Sequence, residues 1–307
     1  MIAPRHFLTG EELTSTELDA LLGRALELKQ DRHGSRALDG LSVALVFDRP
    51  STRTRISFEV GVHELGGHPV VLRQGELQLS RGESTRDTAL VLSRYVAAIA
   101  ARTGPHEELE QLAEHATVPV VNMLTRGHHP CQALADLMTL REHFGDLRGK
   151  RLAYVGDGNN VAHSLLILGA KAGLEVVVAT PAELAPLERV VAAAAAGAED
   201  GGSVAVTREP REAAAGASAV YTDVWVSMGD ENGAEARREQ LGPYRIDEGL
   251  LGAAAGDAIA LHCLPAHPGE EIAEEILYGP SSAVWDQAEN RLHAQKALLE
   301  LLVGGSG

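Results

Sequence analysis

Six short stretches of this chain combine residue types that could do chemistry. The first is Ser51-Thr52-Arg53-Thr54-Arg55, just past an expected strand over 42–47 and at the start of an expected helix. A helix N-terminus offers unpaired N–H groups and a partial positive charge. Hydroxyls add donors, and a guanidinium presents a bidentate fork suited to phosphate. The combination favours an anion site, phosphate in particular, over a capped helix with solvated arginines. It is not a Walker loop, because Gly-x-x-x-x-Gly-Lys is absent. The second stretch is His129-Pro130-Cys131-Gln132. Pro130 suits a first helical position, and a purely structural role for the segment remains open. His129 and Gln132 could donate to a carbonyl oxygen or accept from an amide. Cys131 reads as a small buried residue rather than a nucleophile.

The third stretch, Gly156-Asp157-Gly158-Asn159-Asn160, is half of a dinucleotide fingerprint. Val161 replaces the third glycine, and the strand over 175–179 ends without an acidic residue for a ribose, so NAD is poorly supported. Asn160 could instead hold a substrate carboxylate. The fourth is Asp223-Val-Trp-Val-Ser227-Met228-Gly229, where Asp223 is placed either to meet a substrate ammonium or to act as an ordinary cap. The fifth is His262-Cys263-Leu264-Pro265, with a thiol at a strand terminus. Neighbouring strand residues point to opposite faces, so a Cys–His nucleophilic pair is not implied. No metal is expected, because zinc-type cysteine spacing and His-Glu-x-x-His are both missing. The sixth is Glu289-Asn290-Arg291-Leu292-His293, where Arg291 alone reads as a surface charge.

These residues need elements to place them. Thr14 and Glu17 form a capping box before a helix over 15–30. Strands are expected at 42–47, 69–73, 96–101 and 118–121, with helices at 52–65, 84–92 and 107–116. A helix from Pro130 to Phe144 follows. A second series has strands at 151–155, 175–179, 203–207, 219–221 and 258–261. Its helices cover 161–172, the Ala-rich 184–197 and 288–302. The polar stretches 226–243 and 264–271 read as mobile loops. Strands alternating with helices in both halves imply two parallel-sheet α/β domains, which bind ligands beyond the carboxyl ends of their strands.

The 307 residues are enough for two domains. With 27 Lys+Arg and 43 Asp+Glu the formal charge is −16, which argues against nucleic acid or an anionic membrane as partner. Any bound anion must be held by a local cluster against that field. Two cysteines make no disulfide framework, and a reduced, cytoplasmic setting is expected.

Taken together and in order, Ser-Thr-Arg-Thr-Arg, Ala101-Arg102-Thr103, His-Pro-Cys-Gln, Gly-Asp-Gly-Asn-Asn, Asp-x-x-x-Ser-Met-Gly, His-Cys-Leu-Pro and Asn-Arg-x-His resemble the ornithine carbamoyltransferases. These belong to the aspartate/ornithine carbamoyltransferase superfamily. The resemblance runs from position 51 to 293. It implies a residue 1–146 carbamoyl-phosphate domain with a C-terminal helix over 288–307 packing back on it, a residue 147–287 ornithine domain, and an active site in the cleft between them. The reaction it implies is carbamoyl phosphate plus L-ornithine giving L-citrulline and phosphate, in the biosynthetic direction. It also implies a homotrimer with shared active sites and no cofactor.

The resemblance carries over residue by residue. Ser51, Thr52, Arg53 and Thr54 would hold phosphate, with Arg55 a supporting charge. Arg102 and His129 would polarise the carbamoyl oxygen, and Pro130, Cys131 and Gln132 would complete that turn. Gln78 would reach a neighbouring subunit's phosphate. Asn160, Asp223, Ser227 and Met228 would hold ornithine. Cys263 and Leu264 would line the junction of the substrates, Cys263 working with Asp223, and Arg291 would assist the carbamoyl phosphate. The chain departs from the usual pattern at Ser80, Arg126 and Pro268. A relative acting on putrescine or N-acetylornithine, a non-catalytic anion or amino-acid sensor, and a dehydrogenase are the rival readings.

Overall fold

The computed structural model describes residues 5–73, 75–76, 82–226 and 233–304. The expected Gln78, Ser80, Ser227 and Met228 lie outside the described residues. In chain order the elements of the first half are α1 (Ser15–Gln30), β1 (Ser42–Phe47), α2 (Thr52–Glu64), β2 (His68–Arg73), α3 (Thr85–Leu92), β3 (Ala98–Arg102), α4 (His106–His115), β4 (Val120–Leu124) and α5 (Pro130–Phe144). Then come β5 (Arg151–Val155), α6 (Asn160–Lys171), β6 (Glu175–Ala179), α7 (Glu188–Ala196), β7 (Ser203–Thr207), α8 (Pro210–Ala214) and β8 (Ala219–Thr222). The last are α9 (Ala234–Leu241), α10 (Glu248–Leu251), β9 (Ile259–His262), α11 (Glu274–Leu277) and α12 (Val284–Gly304).

The strands form two parallel sheets, in the orders β2-β1-β3-β4 and β7-β6-β5-β8-β9. Their inner strands are unbroken apolar runs, as in Ser-Val-Ala-Leu-Val-Phe of β1, where every residue after Ser42 is buried. That pattern suits a parallel strand covered on both faces. The edge strands β2 and β7 are partly exposed. Local signals set the helix starts. Thr14 and Glu17 form the expected capping box of α1, and Ser84 accepts from the Asp87 N–H at α3.

Two compact units result. Unit 1 takes in the chain up to Ala135 and again from Asn290, while unit 2 spans Asp136–Glu289. The division therefore falls inside α5 and inside α12. In unit 1, α12 is tied to the earlier helices by polar bonds. Lys296, fully buried, donates to Glu64 of α2 at 2.8 Å, and Lys29 of α1 donates to Asn290 at 2.8 Å. Gly61 lets α2 and α12 approach, since a Cβ there would lie 3.2 Å from Lys296 Cγ and 3.4 Å from Leu292 Cδ1.

Three expectations need correction. The polar stretch 226–243 is not all loop, because Ala234–Leu241 is helical. Its Ala, Glu, Arg, Gln and Leu are strong helix formers, but its many charges leave no apolar stripe to signal a helix, and only Leu241 is buried. The Ala-rich helix is also shorter than expected. Pro186 interrupts it, so α7 runs only from Glu188 to Ala196 after a short 3₁₀ turn at Ala182–Leu184. Strand β3 sits slightly later than its apolar run suggests, which makes Arg102 its last residue.

Candidate functional site

In an open parallel sheet, ligands settle beyond the carboxyl ends of the strands, where the strand order reverses. In unit 1 that point lies between β1 and β3, with β2 on one side and β4 on the other. Ser51 follows β1 and starts α2, Arg102 ends β3, and His129 follows β4. The Ser51 side chain makes no cap bond to its helix. Instead its hydroxyl accepts from Arg102 Nη1 at 3.2 Å. Thr54 Oγ1 accepts from two guanidiniums, Arg102 Nη1 at 3.4 Å and Arg291 Nη2 at 2.6 Å. Arg291 also donates to Gln132 Oε1 at 2.8 Å. Residues from β3 and α12 thus converge on one hydroxyl of α2, and α5 joins them through Arg291.

His129 is buried beside this cluster. Burial first, then the nearby Arg291 and Arg102, push its imidazole well below the ordinary range. At neutral pH it is uncharged and can donate through one N–H only. Burial pushes the Cys131 thiol up to about 12, and its Sγ contacts the Asn122 carbonyl at 3.3 Å. Cys131 is therefore a packed, inert side chain. Thr52 and Arg53 are exposed on the first turn of α2. Arg55 pairs along its helix with Glu59 at 2.8 Å. The cationic cluster is local, within a chain of net charge −16.

In unit 2 the order reverses between β5 and β8. The turn after β5 carries Gly156–Asn160, and Asp223 follows β8. The glycines serve the backbone. Gly156 has φ 133°, and a Cβ on Gly158 would lie 2.4 Å from Pro186 N. Cys263 Sγ donates to Asp223 Oδ1 at 2.9 Å, and Asn159 Nδ2 donates to Asp223 Oδ2 at 2.8 Å. Asn159 also caps α6, accepting from the N–H groups of Val161 and Ala162. His262 is held by partners other than Cys263, although one of its ring nitrogens lies within 4.8 Å of the Cys263 Sγ. Its Nε2 meets the fully buried Glu271 at 3.1 Å, and its Nδ1 accepts from the Leu264 N–H at 2.9 Å. Leu264 has φ 60°, a left-handed backbone that bulky residues seldom adopt outside functional sites.

Of the expected residues, the structure brings together Ser51, Thr54, Arg102, Gln132 and Arg291, with His129 alongside, and separately Asp223 with Cys263. Asn160 is half-buried at the first position of α6. Arg126 and Pro268 are exposed. Sequence reasoning missed Asn159 as the partner of Asp223. The one available signal was its type, because Asn just before an apolar helix is a favoured N-cap. Among the described residues, Asp223, His262 and Cys263 place possible metal-ligating atoms within 4.8 Å of one another, as do His267, Glu270 and Glu271. Bonds within the chain already engage members of both groups: Cys263 with Asp223, His262 with Glu271, and Arg238 with Glu270.

Comparison with known proteins covers nearly the whole chain. Residues 5–142 match the family described as aspartate/ornithine carbamoyltransferase, carbamoyl-P binding domain. Residues 148–302 match aspartate/ornithine carbamoyltransferase, Asp/Orn binding domain. The ornithine carbamoyltransferase of Acidothermus cellulolyticus is 58% identical over 305 residues, covering 99% of this chain and 98% of that one. The solved ornithine carbamoyltransferase of Pyrococcus furiosus superposes with a TM-score of 0.95 at 49% identity, covering 100% of this chain and 99% of that one. An N-acetyl-L-ornithine transcarbamylase structure complexed with PALAO is less similar, with a TM-score of 0.87 at 35% identity, covering 97% of this chain and 99% of that one.

Proposed function

Because this chain belongs to the aspartate/ornithine carbamoyltransferase family, we propose that it transfers the carbamoyl group of carbamoyl phosphate to the δ-amine of L-ornithine, giving L-citrulline and phosphate. The observation that carries this reading is the convergence of Arg102 and Arg291 on Thr54. It concentrates positive charge where a small doubly charged acyl donor would need it.

Ser51, Thr52, Arg53 and Thr54, with the first turn of α2, hold the phosphate, and Gln132 holds the carbamoyl group on the turn that Pro130 and Cys131 shape. The neutral δ-amine attacks the carbamoyl carbon, and negative charge grows on its oxygen. Arg102, Thr54 and the N–H of neutral His129 stabilise that oxyanion. The carbon–oxygen bond to phosphate then breaks, with Arg53 and Arg291 countering the charge that departs. The attacking nitrogen gives its extra proton to the departing phosphate as citrulline forms. Asp223 receives the α-ammonium of ornithine, with Asn160, Ser227 and Met228 around the rest of the amino acid. Cys263 and Leu264 line the junction of the two substrates, and Cys263 orients through Asp223 without forming a covalent bond.

The free δ-ammonium has a pKa near ~10 by analogy with Lys, so kcat/KM rises from about pH 6 to 9. A flat profile over that range would contradict attack by the neutral amine. Citrulline formation by the purified protein, with Arg53→Ala as control, tests the reaction itself. A panel of ornithine, N-acetylornithine and putrescine tests the acceptor. Turnover of either alternative above ornithine would replace this reading, which rests on the higher identity to the ornithine enzymes.

The biosynthetic direction is supported by the Pyrococcus furiosus relative, named an anabolic ornithine carbamoyltransferase, at 49% identity. A homotrimer with Gln78 reaching a neighbour's phosphate is part of the proposal. Exposed apolar side chains in unit 1, Ile56, Leu90, Val91 and Tyr95, suit burial against another subunit. No helix among the described residues is long and apolar enough to cross a membrane. We place the enzyme in the cytoplasm, where the free thiol of Cys263 stays reduced.

A further inference from the structure

Asp223 follows the middle strand of three, β5-β8-β9, and its carboxylate is gripped from both neighbours. Cys263, after β9, takes Oδ1, and Asn159, after β5, takes Oδ2. The Asn159 amide has no freedom to turn over. Its oxygen accepts from Val161 N at 2.9 Å, Ala162 N at 3.3 Å and the Tyr154 hydroxyl at 3.2 Å. A flipped amide would face its NH₂ to those donors and its oxygen to a carboxylate. Burial first, then the carboxylates of Asp223 and Asp157, push the Tyr154 phenol well above its ordinary range, so it remains a donor.

We propose that Asn159 is a positioning residue for ornithine binding, using the fixed N-terminus of α6 to set the angle at which Asp223 presents its carboxylate. This rests on the assignment of Asp223 to the ornithine ammonium. The grip is made by two uncharged donors, an amide and a thiol. They orient the carboxylate without supplying a cation that would compete with the substrate. Tyr154 completes the support from the inside of the sheet.

Asn159→Asp and Asn159→Ser separate this role from simple capping. Both keep an oxygen for the Val161 and Ala162 N–H groups, and both are good N-caps. Neither retains the NH₂ that reaches Asp223, and the Asp variant sets a second carboxylate against it. The expected result is a rise in ornithine KM of about tenfold or more, with the KM for carbamoyl phosphate within about twofold of the parent and kcat at saturating ornithine changed less. A second readout needs no substrate. Cys131 is buried, so iodoacetamide reports on Cys263. The pH midpoint of its alkylation moves up in both variants, and further in the Asp variant, because Asp223 has lost a donor or gained a like charge.

Parent-like ornithine KM together with a parent-like alkylation midpoint in both variants overturns the proposal and leaves Asn159 as a helix cap. An upward midpoint in a protein that neither binds ornithine nor makes citrulline supports the Asn159–Asp223–Cys263 linkage, and overturns the assignment of Asp223 to ornithine.

Discussion

Unit 1 and unit 2 build their candidate sites in the same place, past the strands that flank the reversal of strand order, β1 and β3 in one, β5 and β8 in the other. The charge they present there is opposite. Unit 1 aims two guanidiniums by hydroxyl and amide oxygens, those of Ser51, Thr54 and Gln132. Unit 2 aims a carboxylate by an amide and a thiol. In both, uncharged groups help to orient the ion. Charges that hold the fold together are treated differently. Lys296 meets Glu64, and Arg55 meets Glu59, as ion pairs. Architecture fixes where a substrate can sit, and hydroxyl, amide and thiol groups help to aim the ions found there, whereas these structural charges are tied by ion pairs.

The sharpest way to break that comparison is Arg102→Ala. If this guanidinium stabilises the developing oxyanion, kcat falls by about 10²–10³, with ornithine KM little changed. A loss confined to ornithine KM would erase the distinction between the units. Lys296→Met probes the other kind of charge. Breaking a buried pair costs about 3 kcal/mol, at the low end because Arg32 still bonds Glu64. Urea unfolding should show that loss, and unchanged stability would mean the pair is not structural. Asp223→Asn removes the carboxylate that unit 2 keeps for the substrate. Ornithine KM should rise about tenfold to a hundredfold, while carbamoyl phosphate KM holds.

The smallest expected effect is on stability in acid. The folded His129 binds its proton less readily than the unfolded chain does, because of burial and the two neighbouring guanidiniums. The unfolded state therefore holds more protons below about pH 6.5, and His129 contributes a loss of up to about 1.4 kcal/mol per pH unit as pH falls through that range. His129→Gln should flatten this part of the stability profile in thermal scans from neutral to mildly acid pH. An equally steep profile would mean that another group drives it.

Much of this was legible in the sequence, because parallel strands are apolar throughout and each is followed by its chemical residues. The Ser51–Arg55 and His129–Gln132 motifs could be read as donors from their types alone. What could not be read was pairing across distance. Asn159 and Asp223 are 64 positions apart, and Thr54 and Arg291 are 237 apart. Arg291 sits on an amphipathic helix where an arginine defaults to solvent, yet it is 4% exposed. Helix α9 was hidden for a different reason. Its charged residues leave no apolar stripe, which is the signal that separates a helix from a polar loop.

Unit 1 is interrupted in sequence, since its sheet is encoded before all of unit 2 and Arg291 and Lys296 come after it. On a ribosome, the first sheet emerges well ahead of the helix that completes its cationic cluster. A nascent chain cannot assemble this anion site until translation has passed Arg291. Competence to bind the donor is therefore withheld until the acceptor's half of the molecule has already been made.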